Sequence, residues 1–251
     1  MAALSRHILV SVLLIAISQV AGCATTATPA DEQARSEADP WEPMNRTVYR
    51  VNTVVDNATL KPVAKGYKKV LPTPVRRGIA NFFANLLTPR SAINNFLQGK
   101  MSRGFDDIAR FFFNSSIGIG GIFDVASAGG LETYDETFSQ TLAVWGVPQG
   151  PYLMLPLLGP KSLLDAAALP VDILADPIVH YDNSSVRDRV YALRVIDLRA
   201  RLLTAGKLLE NSQDPYITLR ESYLQNRQYD IYDGDPPNDD DFYGEFLDEE
   251  E

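Results

Sequence analysis

The sequence predicts an all-α fold in a single domain, and three observations support this prediction. Apolar residues recur at three- and four-residue spacing in several stretches of the chain. Strict alternation and hairpin dipeptides are scarce. With 251 residues, 45% of them hydrophobic, the chain is also long enough for one compact domain with its own core.

The N-terminus has the order of residues that is typical of a bacterial lipoprotein signal. Basic Arg6 precedes an apolar run over residues 8–17, which is too short for the ~20 residues that a membrane span requires. Small residues then lead to Cys23, the single cysteine of the chain, which has no disulfide partner. We therefore predict a signal peptide over residues 1–22 and a diacylglyceryl group on the Cys23 thiol, which anchors the protein to a membrane without crossing it.

The composition divides the mature chain into three parts. Residues 23–40 are small and polar and predict a flexible tether. Residues 41–227 carry the apolar periodicity and predict the folded domain. Residues 228–251 contain 11 acidic residues and no Lys or Arg, which predicts an acidic disordered tail. Because the remainder is close to neutral, the basic surface typical of nucleic-acid binding is missing.

Within the domain, helix boundaries follow from capping and proline signals. Thr73-Pro74 predicts the N-cap and first turn of a helix that ends at Pro89, followed by helices over 91–98 and 103–114. The stretch after Ser184 has the clearest apolar stripe, with Asp197 and Arg201 predicted to pair on its outer face. Asp214-Pro215 predicts the start of a further helix.

Two apolar segments are irregular. Residues 137–160 carry no charge but contain four prolines and three glycines, so a membrane-spanning helix is excluded there. Residues 111–123 begin with three consecutive phenylalanines and also contain Gly118, Gly120 and Gly121. Apolar side chains in both segments belong either in the core or in lipid, and both alternatives stay open at this point. The residues predicted to face the membrane or a porin are Phe111, Phe112, Leu153, Leu155 and Leu157.

The sequence contains no motif that predicts catalysis, a cofactor or a metal site. His180 is the single histidine after the signal, and a structural role suits a lone histidine near a helix boundary. No G-x-S-x-G, H-E-x-x-H or His/Cys cluster is present. Gly118, Gly120 and Gly121 lack the lysine of a phosphate loop and are better explained by close helix approach. The acidic pairs Asp106-Asp107 and Asp135-Glu136 are predicted to stabilise helix starts.

Motifs in order along residues 39–227 resemble the VacJ/MlaA family of outer-membrane lipoproteins. The resemblance depends on Asp39-Pro40, Pro43-Met44-Asn45-Arg46 with Tyr49 and Asn52, Asn81-Phe82, Asn85-Leu86, Asn95-Phe96-Leu97-Gln98-Gly99, Arg110-Phe111-Phe112 with Asn114, Gly118-x-Gly120-Gly121 with Asp124, Gly146-Val147, Gly150-Pro151-Tyr152, Leu155-Pro156, Gly159-Pro160, Asp214-Pro215-Tyr216-Ile217, and Arg220-Glu221 with Tyr223. The sequence departs from the family where Leu-Arg-Asp is usual, since it has Leu163-Leu164-Asp165.

The resemblance implies a ring-like helical body in the inner leaflet of the outer membrane, beside a trimeric porin. An amphipathic channel in this body would take mislocalised phospholipids from the outer leaflet and pass them to a soluble periplasmic carrier. Asn45, Arg46, Tyr49 and Asn52, together with the three glycines, are the candidate channel residues. Capping and core hydrogen bonds are the alternative role for the polar ones.

Two other functions remain open from the sequence. A lipid-cleaving enzyme would require His180 or a carboxylate near a serine in an apolar cleft. A structural lipoprotein would brace a porin without passing lipid.

Overall fold

A computed structural model describes residues 38–237, which form ten α-helices and one small β-hairpin. The predicted signal peptide, the lipidation site Cys23, most of the tether and residues 238–251 lie outside the described residues. The helices are α1 Glu42–Ala58, α2 Leu60–Val70, α3 Thr73–Leu97, α4 Met101–Ser116, α5 Val125–Ala128, α6 Phe138–Val144, α7 Leu163–Leu174, α8 Ser184–Arg201, α9 Leu203–Glu210 and α10 Pro215–Ile231. A 3₁₀-helix spans Pro177–His180, and the strands are β1 Tyr152–Leu155 and β2 Gly159–Ser162.

The all-α prediction is confirmed, but the prediction that Pro89 ends a helix is wrong. Helix α3 continues through Pro89, so the helix expected over 91–98 is the second half of α3. Proline removes one helical hydrogen bond, and α3 keeps its path because α4 packs along it. The packing is close at Gly104 of α4, where a Cβ would lie 2.4 Å from the Phe96 ring. Thr73 is the first helical residue and makes no capping hydrogen bond, so its predicted N-cap role is also wrong.

Three further helices agree with the sequence signals in position and differ in detail. Helix α4 extends two residues beyond each predicted end. In α8, Asp197 and Arg201 do form an ion pair at 3.1 Å, but Asp197 is buried and accepts a hydrogen bond from Tyr67 on α2. It therefore faces the interior and not the outer surface. Helix α10 begins at the predicted Asp214 cap, whose carboxylate accepts from two backbone amides of the first turn.

The uncharged segment contains the hairpin. Strands β1 and β2 are antiparallel, with Tyr152 opposite Ser162 and Leu155 opposite Gly159. Tyr152 and Met154 point into a core that they share with Tyr216 of α10. Helix α1 packs on β1, and α10 packs on β2, so the hairpin is held between the first and the last helix.

Order extends beyond both predicted domain boundaries. Asp39, which was assigned to the tether, is fully buried and bonded to α1 and α10. At the other end α10 runs four residues past Arg227, and Asp233 pairs with Lys100 and Arg103. The reason is the same in both places: an acidic side chain outside the apolar pattern finds cationic or hydroxyl partners on the body. Within residues 38–237, no helix combines the length and the apolar character needed to cross a membrane.

Candidate functional site

Asn45 occupies the centre of the contact between α1 and the hairpin. Its Nδ2 donates to Asp39 Oδ1 at 2.8 Å and to the Tyr152 carbonyl at 3.1 Å, and its Oδ1 accepts from the Met154 amide at 2.8 Å. The side chain is fully buried. Both ends of the amide are therefore used inside the protein, which favours the core hydrogen-bond role.

Asp39 connects this contact to α10. The Tyr216 hydroxyl and Arg220 Nη1 both donate to Asp39 Oδ2, and Arg220 also reaches Glu42 at 3.3 Å. Burial, followed by the hydrogen bond to Asp39, raises the pKa of Tyr216 far above its ordinary value. The Tyr216 hydroxyl therefore stays protonated and acts as a permanent donor. The sequence analysis missed Asp39 as a buried residue because it precedes all apolar periodicity.

Asn52 holds the turn of the hairpin. Its Nδ2 donates to the Leu155 carbonyl at 2.9 Å, and its Oδ1 accepts from the Leu157 amide at 2.8 Å. Leu157 has a φ of +63° and is 71% exposed, while Leu153 and Leu155 are half-buried. Asn52 thus fixes a turn that presents a leucine to the surroundings.

Two of the candidate channel residues, Arg46 and Tyr49, border the same open space. With Arg50, Asp214, Pro215 and Tyr216 they line a cavity of about 280 Å³. Arg46 donates to Glu42 at 2.6 Å and to Asp214 at 2.8 Å, and its guanidinium lies 4.5 Å from the Tyr216 ring centroid. The hydrogen bond to Asp214 is the main cause that raises the pKa of Arg46, and the same bond lowers the pKa of Asp214. This cavity therefore has a permanent cation beside aromatic faces.

The three candidate glycines lie at another contact, between α3 and the loop after α4. A Cβ on Gly118 would lie 2.2 Å from the Phe123 carbonyl, and one on Gly121 would lie 2.5 Å from Asn85 of α3. Gly120 and Gly121 have φ values of +67° and +89°. Close packing explains Gly118 and Gly121, and left-handed backbone explains Gly120 and Gly121. These glycines lie between α3 and the loop after α4, whereas Asn45 lies between α1 and the hairpin.

The interior between α3, α4 and the following loop is polar. Arg110, 5% exposed, donates to both oxygens of Asp124 at 3.1 Å and to the Leu131 carbonyl at 2.6 Å. Asn114 donates to Asp124 as well, at 3.0 Å. Although burial opposes ionisation of Asp124, its bonds to Ser127 and Asn114 and the charge of Arg110 hold its pKa below the ordinary value. This ion pair locks α5 onto α4.

Asp107 lies one helical turn before Arg110 and is fully buried, so its predicted role at a helix start is wrong. Asn95 of α3 donates to Asp107 Oδ2 at 3.0 Å. Burial raises the pKa of Asp107 to about 6. Among the described residues, three buried side-chain oxygens of α3 and α4 have no hydrogen-bond donor, Asn85 Oδ1, Asn95 Oδ1 and Asp107 Oδ1, and Gln98 Oε1, directly after α3, has none either.

The outer face of α4 is apolar. Met101, Phe105, Ile108 and Phe112 recur at four-, three- and four-residue spacing and are 49% to 65% exposed. Asp107, Arg110 and Asn114 recur at three- and four-residue spacing on the buried side. Phe111 lies at the edge of the apolar face, at 38% exposed. Helix α4 is therefore inverted relative to a helix of a water-soluble protein, which buries its apolar side. The two interleaved periodicities are visible in the sequence and were the signal that could have revealed this inversion.

The other side chains considered for catalysis or metal binding make contacts within the protein. His180 is exposed and contacts the Leu174 carbonyl at 2.7 Å. Over the described range 38–237, no group of three or more His, Cys, Asp or Glu side chains is arranged to hold a metal ion. Asp165, at the motif that departs from the family, accepts from Tyr223 and pairs with Arg227 at 2.7 Å.

Comparison with known proteins gives consistent matches. A family model described as MlaA lipoprotein matches residues 37–230. The chain is 37% identical over 223 residues to the intermembrane phospholipid transport system lipoprotein MlaA of Shigella flexneri, covering 87% of each chain. It is 34% identical over 230 residues to the protein of the same name from Haemophilus influenzae, covering 90% of this chain and 91% of that one. A solved structure described as the structural basis for maintenance of bacterial outer membrane lipid asymmetry matches with 38% identity and a TM-score of 0.68, over 77% of this chain and 98% of that one.

Proposed function

The chain belongs to the MlaA lipoprotein family, and from this premise we propose that it removes mislocalised phospholipids from the outer leaflet of the outer membrane. The lipids would move through an amphipathic passage in the protein to a periplasmic carrier, which maintains the lipid asymmetry of the membrane. The relatives with assigned names are transport lipoproteins and not enzymes.

The inversion of α4 is the observation that carries the proposal. Across residues 38–237, 19 buried residues are polar or charged and 11 are hydrophobic. A protein in water buries apolar surface because this is the main driving force of folding. A body embedded in acyl chains has no such requirement for its outside, and it can turn apolar side chains to lipid while its polar groups pair internally. The exposed Ile108 and Phe112 and the buried Asp107 and Arg110 fit this environment.

A phospholipid needs polar groups for its headgroup and an apolar route for its tails. We propose Arg46 and Tyr49 as headgroup contacts, because they line an open cavity and Arg46 keeps its charge at all physiological pH values. Phe111, Phe112, the half-buried Leu153 and Leu155 and the exposed Leu157 are proposed to face lipid or porin. Asn45 and Asn52 act indirectly, by holding the hairpin at α1.

The remaining parts of the proposal concern attachment and partners. Cleavage after residue 22 would leave Cys23 to carry the acyl anchor, with residues 24–37 as the tether. A trimeric porin beside the embedded body and a soluble periplasmic carrier are the proposed partners. The acidic residues beyond Asp233 would extend from the membrane surface, because they repel one another and anionic headgroups.

The proposal is tested by outer-leaflet phospholipid in a strain that lacks the gene. We expect the lipid level to rise and to return to normal with the wild-type gene. The variant Ile108→Gln/Phe112→Gln makes the apolar face of α4 polar and should fail to restore it. The control Tyr181→Gln/Tyr229→Gln changes two exposed aromatic residues away from α4 and should restore it.

Three outcomes would contradict the proposal. An unchanged lipid level in the deletion strain, together with porin binding by the wild-type protein, would indicate a bracing protein. Release of fatty acid from liposomes by the purified protein would indicate an enzyme. Full restoration by the α4 variant would show that the exposed apolar face of α4 is not needed for lipid removal.

A further inference from the structure

Five lysines from two helices converge on one groove. Lys61, Lys65, Lys68 and Lys69 of α2 and Lys207 of α9 line a cavity of about 480 Å³, which is completed by Leu203, Thr204 and Glu210. We refer to this cavity as the lysine groove. It is larger than the cavity lined by Arg46 and Tyr49, and the two cavities share no lining residue.

Within residues 38–237, most of the positive charge in the lysine groove is not neutralised. Lys61 donates to Asn57 at 3.0 Å and pairs with Glu210. This bond lowers the pKa of Glu210, with Coulombic support from Lys65. For the other four lysines, no carboxylate of residues 38–237 lies within 4 Å of the side-chain nitrogen. One acidic side chain therefore faces five cations.

Helix stability does not account for this arrangement. Lys68 and Lys69 lie in the last turn of α2, where a cation interacts favourably with the helix dipole. Lys61 lies in the first turn, where the interaction is unfavourable. Lys61 and Lys65, and Lys65 and Lys69, are four residues apart, and like charges at this spacing repel. The approach of Lys207 from a second helix adds to the repulsion, so an anion would relieve it.

The surroundings of the lysine groove are amphiphilic. Helix α2 is attached to the body through buried Ala64 and through Tyr67, which bonds to Asp197. Val63 and Val70, which are 50% and 76% exposed, lie one to two turns apart on the face opposite the lysines. Leu208 on α9 is 72% exposed. A helix with one lysine-rich face and one exposed apolar face is typical of an element at the boundary between headgroups and acyl chains.

We propose that the lysine groove binds the headgroup of an anionic phospholipid, with the lysine ammonium groups on its phosphate and the Thr204 hydroxyl as an additional donor. This inference rests on the proposed function, which supplies the substrate class. It adds a preference for anionic phospholipids and a second binding site. The lysine stems and Leu203 would pack against the glycerol backbone. A zwitterionic headgroup is disfavoured because its own ammonium group meets the lysines.

The test is equilibrium binding of short-chain phosphatidylglycerol and phosphatidylcholine to the full chain in neutral detergent. We expect phosphatidylglycerol to bind more tightly. The variant Lys65→Gln/Lys68→Gln should weaken phosphatidylglycerol binding by about fivefold and leave phosphatidylcholine unchanged, as suits the loss of two exposed charge interactions. The control Arg77→Gln/Arg189→Gln removes two exposed cations outside the groove and should change neither. The preference should also decrease with salt.

The outcomes separate this inference from the proposed function. Equal affinity for both lipids, or an equal loss in the Arg77/Arg189 control, would overturn the lysine groove as a headgroup site and leave the proposed function in place. Failure to bind either lipid would contradict the proposed function itself. Inorganic phosphate is the probe for a free anion: if it binds in a Lys65- and Lys68-dependent way while the lipid preference is absent, the groove is a site for soluble anions and the lipid assignment is wrong.

Discussion

The hairpin region and the α3–α4 pair differ in the balance of aromatic and polar side chains that they bury. In the hairpin region Tyr152, Met154 and Tyr216 form a core in which the Tyr152 and Tyr216 rings meet edge to face at 6.2 Å. In the α3–α4 pair the interior contains Asp107, Arg110, Asn95 and their partners beside the buried Phe83, while Phe105, Phe112 and Phe113 of α4 are exposed. The first arrangement suits a protein in water, and the second suits a protein in lipid. We therefore expect the two regions to meet different surroundings and to depend on different interactions for their stability.

The largest expected effect is from Arg110→Ala, which removes the cation from the polar interior of the α3–α4 pair. Asp124, whose side chain is 29% exposed, would lose its ion-pair partner, so we expect a loss of about 3 kcal/mol, at the lower end of the ~3–5 kcal/mol that removal of one partner of a fully buried pair costs. Denaturant unfolding in detergent measures the loss. Arg46→Ala is the control, because Arg46 is 34% exposed in its ion pairs, and exposed pairs contribute about 1 kcal/mol or less. Equal losses would show that the two regions do not differ in burial.

Asp107→Asn should change how stability depends on pH. Burial raises the folded pKa of Asp107 to about 6, from an ordinary value of 3.8, so the folded state holds the proton more tightly than the unfolded state. The wild-type protein should therefore lose stability as the pH rises from 3.8 through 6, by up to about 3 kcal/mol at about 1.4 kcal/mol per pKa unit. Melting temperatures across this window should decline in the wild type.

The asparagine variant should lose that decline, since its amide does not ionise. Asp124→Asn should change the pH dependence of stability in the opposite direction. The pKa of Asp124 is lowered in the folded state, so its contribution is present above its unfolded pKa and disappears on acidification. If both variants leave the pH profile unchanged, the polar interior is hydrated and not sealed.

Asn45→Leu tests the hairpin region. The leucine has a similar size but leaves the Tyr152 carbonyl, the Met154 amide and Asp39 without their partner. Unpaired buried polar groups cost about 1–3 kcal/mol each, and partial relaxation leaves an expected loss of about 2 kcal/mol. Unfolding followed by tyrosine fluorescence reports on this core. A loss below that of Arg46→Ala would mean that the aromatic packing, and not the amide, holds the hairpin.

The smallest effect on stability is expected from Ile108→Gln/Phe112→Gln. Both side chains are about half exposed or more, so the free energy of unfolding in detergent should change by less than about 0.5 kcal/mol. Partitioning into liposomes should decrease, because apolar area contributes about 25 cal/mol per Å². Met154→Gln, a buried hairpin residue, should show the reverse: a loss of stability with little change in partitioning. A large loss of stability in the α4 variant would assign its apolar face to protein contacts.

The local features of this protein were predictable from the sequence. Helix α4, the Asp214 cap of α10 and the all-α class follow from periodicity and capping, which depend on residues within one or two turns of each other. The family resemblance followed from ordered motifs, and the family model covers nearly the same residues, 37–230. The close helix approach predicted for the glycines is seen at Gly121, where a Cβ would lie 2.5 Å from Asn85 of α3, because glycine alone has no Cβ to keep the two segments apart.

Only the tertiary structure decided which side of each element is inside. Pro89 remains in α3 because α4, a later segment, packs along that helix. A proline in the sequence predicts the end of a helix but carries no information about such a neighbouring helix. Asp39 is buried because Arg220 and Tyr216 arrive from 177 or more residues away. The lysine groove likewise needs α2 and α9 together. Amphipathic periodicity defines two faces of a helix but not the medium that each face meets, since the favourable environment of an apolar face is set by the packing around it and by whether the solvent is water or lipid.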